Sequence, residues 1–533
     1  MKFPCMHYVN TPPEAVGQHE EILEISAEKS ALLLVNVYGL LLPLDYPARQ
    51  ALVRTYGPKE VIHREEIVQT NLLPVIQAAR QAGIPVIYVA DSAPNIGLTT
   101  THIRDLMVHH LDIDPVIEYA ESCNDPLEYH SGHNQHIAYA EEPAPQEGDF
   151  YIRKWVYSGF HATWLDRLLR NLSVEMLFCA GFNGDSDLFC TMLEGHWAGY
   201  RIVLLRNCHA AVHIPQAEPE MGFTQRLEMY AEASLGFTIS PADFCAACGV
   251  PIEPQTHPED SPNYNKIIPP ASSQVKPEFT KPLVDAAKND VATSDISKFQ
   301  LPVRYFRRYP ADHMLGYANQ TINLDPAHTA FLVVDVYGET PTPTIVDHIA
   351  PALQAARAAG LQVIYAGNSA PRIDLDHYEF TIQRNRNACH YFPQVSAELK
   401  GDPREYHHGD GPWGRYLECV APQPGDIFVR KIAYSGFTDT RLDSVLRHLG
   451  IENLISVGFS ASECLLGTLI DAFNRNYRVI LLRDCTRGGA MTELERQTDA
   501  FTKRMILWME TYVAVSSTSQ DFIAGCANLK PGL

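Results

Sequence analysis

Long apolar stretches are missing from this chain of 533 residues. No run reaches the roughly 20 apolar residues that a membrane-spanning helix needs, and the first residues, MKFPCMHYVNTPPEAV, contain no apolar core of a signal peptide. Cysteine is also scarce: the 12 cysteines are scattered without a regular framework, which favours free thiols in a reducing compartment. These absences predict a cytoplasmic protein that does not enter a membrane.

Basic residues are in short supply too. The chain has 42 lysines and arginines against 63 aspartates and glutamates, so its formal net charge is −21. This charge argues against nucleic acid or an anionic membrane as the main partner and leaves a small-molecule substrate as the expected one. A chain of this length exceeds the size of a single core, so at least two domains are expected.

The chain repeats itself over a long distance. Residues 148–182 align with residues 425–459 without a gap, and 18 of the 35 aligned positions are identical. A match of this length indicates duplication of a whole domain rather than a short-period solenoid. We predict a first copy at residues 1–248, a linker rich in proline, serine, aspartate and lysine at 249–300, and a second copy at 301–533.

Strand and helix patterns alternate within each copy. In the second copy the apolar runs 427–429, 453–459 and 477–482 predict strands, and helical spacing within 441–449 and 464–475 predicts helices. Strands that alternate with helices form parallel sheets with right-handed crossovers. The sequence therefore predicts an α/β protein of two tandem three-layer α/β/α domains, each with a mostly parallel sheet.

Three chemically capable side chains of the second copy stand where predicted strands end or a helix begins. Asp335 follows one apolar run, Lys431 ends another, and Cys464 stands at the start of a predicted helix. The spacing of Ser460 and Glu463 is that of a capping box. A thiol near a cation and a helix N-terminus is expected to have a lowered pKa, which makes Cys464 a candidate nucleophile. Taken alone, a cysteine at such a position is more often a small core residue than a catalytic one.

The three positions together resemble a known family. Asp335 after the first strand, Lys431 followed three residues later by Tyr-Ser-Gly-Phe, and Cys464 in the turn that follows Gly458 resemble the isochorismatase-like cysteine hydrolases. Residues 325–500 are most similar to the ureidoacrylate amidohydrolase branch of that family. The chain departs from the family pattern just after Asp335 and in the turn 460–463. Both places are near the expected position of the substrate, so the resemblance does not fix which substrate is bound.

The resemblance implies a site and a reaction. It implies Asp335, Lys431 and Cys464 as the catalytic residues, the backbone N–H groups of Ser460 and Cys464 as the oxyanion hole, and a cis peptide between Phe459 and Ser460. The implied activity is a cysteine-dependent amidohydrolase that cleaves a C–N bond of a small ureide or carbamoyl amide and releases ammonia. An isochorismatase-type vinyl-ether hydrolase and a non-catalytic binding protein remain as alternatives.

The first copy serves as an internal control. The alignment sets Asn36 against Asp335, Lys154 against Lys431 and Asp187 against Cys464, so this copy is expected to lack both the acid and the thiol. Cys190 lies one helical turn further on and is not expected to replace the thiol. We therefore predict a degenerate first copy; the alternative is a different chemistry that uses Asp187.

The remaining expectations concern ligands and assembly. Tyr337, Glu339 and Arg372 are candidate substrate contacts on position alone. Two histidine-rich loops, 128–136 and 405–413, raise the question of a metal, but the family's metal-binding Asp-x-His arrangement is absent, so neither a metal nor another cofactor is expected. The two copies are expected to pack on each other. The sequence leaves open whether whole chains associate further into homo-oligomers.

Overall fold

Two compact units make up the described part of the chain. The computed structural model describes residues 1–9, 17–91, 137–154, 156–211, 223–252, 298–307, 316–338, 340–368, 415–431, 433–489 and 498–529. The first unit spans the described residues up to 252, and the second spans those from 298 onward. The predicted linker lies mostly outside the described residues, so the exact domain boundaries stay predictions.

Each unit is built on one eight-stranded sheet. The strands of the first unit are β1 Lys2–Val9, β2 Gly17–Glu24, β3 Ser30–Val35, β4 Val86–Asp91, β5 Phe150–Lys154, β6 Met176–Phe182, β7 Arg201–Ala210 and β8 Gly236–Ile239. Those of the second are β9 Phe299–Arg307, β10 Gly316–Leu324, β11 Thr329–Val334, β12 Gln362–Asn368, β13 Ile427–Lys431, β14 Asn453–Phe459, β15 Arg478–Arg487 and β16 Val515–Ser517.

The two sheets share one topology. Their orders are β2-β1-β8-β7-β6-β3-β4-β5 and β10-β9-β16-β15-β14-β11-β12-β13, which are the same order when each strand is matched to its counterpart. In each sheet the last six strands of the copy run parallel, and the first two form an antiparallel pair at one edge. The duplication and the mostly parallel sheet are therefore confirmed, whereas the antiparallel edge pair is an addition that the sequence analysis missed.

Helices cover the sheets. They are α1 Pro47–Tyr56, α2 Pro58–Ile67, α3 Leu73–Ala82, α4 Leu165–Asn171, α5 Asp187–Trp197, α6 Phe223–Tyr230, α7 Pro241–Ala247, α8 Ala350–Ala358, α9 Leu442–His448, α10 Cys464–Asn474, α11 Ala500–Tyr512 and α12 Ser519–Ala527. In the second unit, α8 and α12 contribute Leu353 and Phe522 to the main apolar core, while α10 is buried along its whole length and packs on β14 and β15. This is the predicted three-layer α/β/α fold.

Two matched glycines set the close approach of the central strands. Gly181 and Gly458 lie near the ends of β6 and β14 and have φ angles of +125° and +124°. A Cβ atom on either would lie about 2 Å from the carbonyl oxygen of the neighbouring strand, Val35 O at 2.0 Å and Val334 O at 1.9 Å. A side chain at either position would push the strands apart. Both copies therefore keep the same close contact beside the carboxyl edge of the sheet.

Two expectations about the whole chain can be compared with the described residues. The ten cysteines among them are all free thiols, as the scattered spacing predicts. They include Cys245 and Cys248, which are three positions apart at the end of α7 and just after it. No helix in the described ranges is long and apolar enough to cross a membrane.

Candidate active site

The candidate residues of the second copy converge because their strands are parallel. Asp335 directly follows β11, Lys431 ends β13, and Ser460 directly follows β14. β11 pairs in parallel register with both β12 and β14, and β12 pairs with β13. The carboxyl ends of these strands therefore meet at one edge of the sheet, where open α/β sheets bind ligands.

Asp335 and Lys431 form a buried ion pair. Lys431 Nζ lies 2.8 Å from Asp335 Oδ2, and both side chains are withdrawn from solvent. The other carboxylate oxygen, Oδ1, accepts the backbone N–H of Asn368 at 3.0 Å. Asp335 has a φ angle of 48°, a conformation that aspartate tolerates better than most residues. Its carboxylate is thereby held at the end of β11 by an ion pair at one oxygen and a hydrogen bond at the other.

Asn368, which the sequence analysis missed, is the third polar member of this edge. It ends β12, its Oδ1 accepts from Lys431 Nζ at 2.5 Å, and its Nδ2 donates to the hydroxyl of Tyr337 at 2.6 Å. Burial by itself lowers the pKa of Lys431, but the Asp335 carboxylate and the Cys464 sulfur raise it above its ordinary value. Lys431 is therefore a permanent ammonium ion whose charge orients three neighbours.

Cys464 is the first residue of α10, and its thiol is in the same buried group. Burial raises the pKa of the Cys464 thiol above its ordinary range, and the Asp335 carboxylate raises it further, although Lys431 lowers it. The expectation of a lowered pKa is therefore wrong for the resting protein, because desolvation outweighs the ammonium ion and the helix end. At neutral pH the thiol therefore holds its proton, and it lies in the same buried group as the Asp335 carboxyl group.

A threonine fixes the first turn of α10 against the loop that follows Lys431. Thr468 Oγ1 donates to the carbonyl oxygen of Cys464 at 2.7 Å and accepts the backbone N–H of Gly436 at 2.9 Å. In the same loop, Ser435 Oγ donates to Asp471 Oδ2 at 2.5 Å. The lysine strand and the thiol helix are thus joined by hydrogen bonds close to the site.

The turn before Cys464 does not form the predicted capping box. Glu463 is the N-cap of α10 and makes no side-chain cap, whereas Ser460 Oγ pairs with Ser462 Oγ at 2.7 Å. Gly489 N–H points at the same two hydroxyls, at 3.3 and 3.4 Å. The capping-box prediction is therefore wrong: the serines fasten the turn to the loop after β15 instead. The peptide between Phe459 and Ser460 is cis, as the family resemblance implied.

Only one of the three candidate substrate contacts can be located. Tyr337 lies at the site through its hydrogen bond to Asn368. Glu339 and Arg372 lie outside the described residues, as do the two histidine-rich loops, so these expectations stay predictions.

Comparison with known proteins identifies the family. A model of the isochorismatase domain matches residues 50–232 and 329–518. The chain belongs to the isochorismatase family. Ureidoacrylate amidohydrolase RutB of Rhizobium rhizogenes is 32% identical over 228 residues, which are 40% of this chain and 89% of that protein. RutB of Methylobacterium radiotolerans is 30% identical over 226 residues, 37% of this chain and 82% of that protein.

One solved structure is similar to this chain over the length of a single copy. A cysteine hydrolase from Pseudomonas syringae pv. phaseolicola is 27% identical, covers 39% of this chain and 96% of its own, and aligns with a TM-score of 0.32. The tandem isochorismatase-like architecture inferred from the sequence is thus confirmed, and the chain is an isochorismatase-family hydrolase.

The first isochorismatase-like copy carries a different set of charges in the same place. Asn36 directly follows β3, Lys154 ends β5 and Asp187 begins α5, so the three aligned residues occupy equivalent positions. Asp91, at the end of β4, adds a carboxylate that the sequence analysis missed. Lys154 Nζ forms ion pairs with both Asp91 Oδ1 and Asp187 Oδ1. The expectation that this site has no acid is therefore wrong: the acid has moved to the neighbouring strand.

Both carboxylates of the first copy are held by several donors. Asp91 Oδ2 accepts from Tyr38 at 2.6 Å and from Asn36 Nδ2 at 3.2 Å. Asp187 Oδ2 accepts from Asn183 Nδ2 at 2.9 Å and from the Ser186 hydroxyl at 3.1 Å. Every carboxylate oxygen of Asp91 and Asp187 therefore has a hydrogen-bond or ion-pair partner.

The charges of the first copy stabilise one another. Burial lowers the pKa of Lys154, but the Asp187 and Asp91 carboxylates more than reverse this and raise it above its ordinary value. Desolvation raises the pKa of Asp91, and the carboxylate of Asp187 adds to that rise. Cys190, the other thiol considered for this copy, is fully buried in α5.

Proposed function

We propose that the second copy is a cysteine-dependent amidohydrolase that cleaves a C–N bond of a small ureide or carbamoyl amide and releases ammonia. The observation that carries the proposal is the buried group in which the Asp335 carboxylate and the Lys431 ammonium ion meet the Cys464 thiol at a helix N-terminus. The similar proteins named ureidoacrylate amidohydrolase support the choice of a ureide.

The first half-reaction forms a thioester. Because the resting thiol is protonated, Asp335 takes the Sγ proton as Cys464 Sγ attacks the carbonyl carbon of the substrate. The tetrahedral intermediate collapses, the C–N bond breaks, and Asp335 returns the proton to the departing nitrogen, which leaves as ammonia. Lys431 stays charged throughout and holds the Asp335 side chain in position through their ion pair.

The second half-reaction regenerates the thiol. Asp335 takes a proton from water as the water oxygen attacks the thioester carbonyl, and the C–S bond breaks. Sγ recovers its proton from Asp335. A ureide yields a carbamate in this way, and the carbamate then loses carbon dioxide to give an amine.

Two backbone N–H groups are the proposed oxyanion hole. In the described part of the chain, the backbone N–H groups of Ser460 and Cys464 donate to no protein acceptor, whereas the neighbouring Leu465 and Glu463 N–H groups both donate to Ser460 O. Free, fixed donors beside the nucleophile are what a developing oxyanion requires.

The proposal is tested by measuring ammonia release from a panel of ureides and simple amides. The wild-type chain, Cys464→Ala and Cys464→Ser are compared, and the acyl-enzyme is sought by mass spectrometry of the intact protein after rapid acid quench. The proposal predicts release and a covalent adduct only when Cys464 is present. Release that survives in Cys464→Ala would overturn it.

A further inference from the structure

Asn368 and Asp91 stand at the same position in the two copies. Each ends the strand beside the lysine strand, and each pairs in register with the lysine, Asn368 with Lys431 and Asp91 with Lys154. In both copies the side chain at this position binds the lysine Nζ. The two copies therefore differ by one negative charge at a matched contact with the lysine.

The Lys431 ammonium group has more acceptors around it than hydrogens to donate. It has three N–H bonds. Among the described residues its acceptors are an Asp335 carboxylate oxygen at 2.8 Å, the Asn368 amide oxygen at 2.5 Å, the Ala433 carbonyl oxygen at 3.3 Å and the Cys464 sulfur. A hydrogen bond to an ionised acceptor is roughly twice as strong as one to a neutral acceptor. The neutral amide therefore holds Nζ without competing with Asp335 for its charge.

Tyr337 determines which end of the Asn368 amide faces the lysine. Asn368 Nδ2 donates to the Tyr337 hydroxyl oxygen at 2.6 Å, so Oδ1 is turned toward Nζ. A reversed amide would place its NH₂ group against an ammonium ion, which has no acceptor to offer. The backbone N–H of Asn368 donates to Asp335 Oδ1 at 3.0 Å. Asn368 thus contacts both charged members of the site, the lysine through its side chain and the acid through its backbone.

The first copy shows what a carboxylate does at this position. Asp91 forms an ion pair with Lys154, which also pairs with Asp187. Tyr38, the counterpart of Tyr337, donates its hydroxyl hydrogen to Asp91 Oδ2 at 2.6 Å, whereas Tyr337 accepts. A carboxylate at the end of this strand therefore becomes a counterion of the lysine.

We propose that Asn368 is a positioning residue whose neutral amide holds the Lys431 ammonium ion between Asp335 and Cys464 and leaves the charge of that ion to them. A carboxylate at position 368 would draw the ammonium ion toward itself and add a negative charge beside the thiol. Both changes disfavour the negative charge that develops on the sulfur during attack. The inference rests on the proposed amidohydrolase activity for its kinetic readout, whereas its chemical readout needs no substrate.

The chemical test compares Asn368→Asp and Asn368→Ala with the wild type. The rate of Cys464 alkylation by neutral iodoacetamide is measured from about pH 7 to about pH 10 by mass spectrometry of the peptide that contains Cys464. Asn368→Asp should move the pH profile upward and lower the rate at about pH 8.5 by about 10-fold, since one pKa unit changes the thiolate fraction about tenfold. Asn368→Ala should stay close to the wild type, because it removes an acceptor and adds no charge.

Turnover should follow the same order. We expect kcat of the proposed reaction to fall about 10-fold in Asn368→Ala and about 100-fold in Asn368→Asp, with little change in KM. Aspartate and asparagine have nearly the same shape, so a residue that only supports the fold would tolerate Asn368→Asp better than Asn368→Ala. That reverse order would overturn the inference. A change confined to KM would also overturn it, because it would make Asn368 a substrate contact.

Asp91→Asn is the matched control, since it exchanges acid and amide at the equivalent position of the first copy. It should leave the alkylation profile of Cys464 unchanged, and a shift as large as that of Asn368→Asp would overturn a local role for position 368.

The inference and the proposed function fail in different ways. Ammonia release that survives in Cys464→Ala ends the proposed function, and the order of alkylation rates still decides the inference. A wild-type alkylation profile in Asn368→Asp would overturn the inference whether or not any compound is turned over.

Discussion

The two copies place a lysine at the same point of the same sheet and surround it differently. Lys431 lies between one carboxylate, Asp335, and the amide oxygen of Asn368. Lys154 lies between two carboxylates, Asp91 and Asp187. An acid and an amide have exchanged strands, and a carboxylate has replaced the thiol.

This comparison shows one architecture with two different arrangements of charge around the lysine. In the second copy one negative charge balances the ammonium ion, so the thiol is a neutral group whose proton has an acceptor close by. In the first copy the position of the thiol holds a charge that Lys154 needs for its own burial. A buried cation and its counterions stabilise each other strongly when paired and are costly when one is removed. If the proposed function holds, the first copy uses for stability the positions that the second copy uses for catalysis.

The largest effect should come from the thiol. We expect Cys464→Ala to lower ammonia release at least roughly 1,000-fold, because the Cys464 thiol is the nucleophile of the proposed reaction. The matched change in the first copy, Asp187→Asn, should leave most of the release intact. Comparable losses in both variants would remove the distinction between the copies.

Exchange of the acid should have the next largest effect. Asp335→Asn is expected to lower kcat about 100- to 10,000-fold, since an amide cannot accept the thiol proton. The counterpart is Asp91→Asn, which gives the first copy the residue that the second copy has at the end of β12. Steady-state kinetics should show little change in kcat for this variant, and a large loss there would mean that the first copy takes part in the reaction.

The lysines should differ in their contribution to stability. Lys154→Met leaves the buried Asp187 carboxylate and the partly exposed Asp91 carboxylate without their cation and is expected to cost about 3–5 kcal/mol, whereas Lys431→Met leaves one carboxylate and should cost less. Hydrogen exchange measured by mass spectrometry, followed in the peptides of β5 and α5 and in those of β13 and α10, separates the two units. A greater loss of hydrogen-exchange protection in Lys431→Met than in Lys154→Met would contradict the view that the ion pairs of the first copy are structural.

The smallest effects concern the reactivity of Cys464. Because its pKa is raised, alkylation by neutral iodoacetamide should keep accelerating as pH rises beyond about 8.5, the ordinary thiol value. Asp335→Asn removes a group that raises the pKa and should speed alkylation at pH 7.5 several-fold. Lys431→Met removes the group that lowers it and should slow the reaction. A rate that levels off near neutral pH would show a low-pKa thiolate in the resting protein.

The fold and the second-copy site were largely predictable because both depend on local patterns and on the duplication. The strand 453–459 and the helix start at Cys464 match the structure residue for residue. The rule that polar residues after apolar strands gather at one edge located Asp335 and Lys431, and it would have found Asn368 and Asp91 had it been applied to the ends of β12 and β4. The predicted strand end at 482 was too early, since β15 continues to Arg487.

The amino-acid sequence by itself determined the family, the tandem α/β architecture and the identities of the aligned acid, lysine and thiol positions, because these follow from periodicity, spacing and the alignment of the two copies. Tertiary structure alone decided the charge balance. Asp91 and Lys154 are 63 residues apart, and Asn368 and Lys431 are separated by the same distance in sequence, so no local pattern states that they touch. The raised pKa of Cys464 is also a tertiary property, since it depends on how completely the surrounding strands and helices exclude water from the thiol.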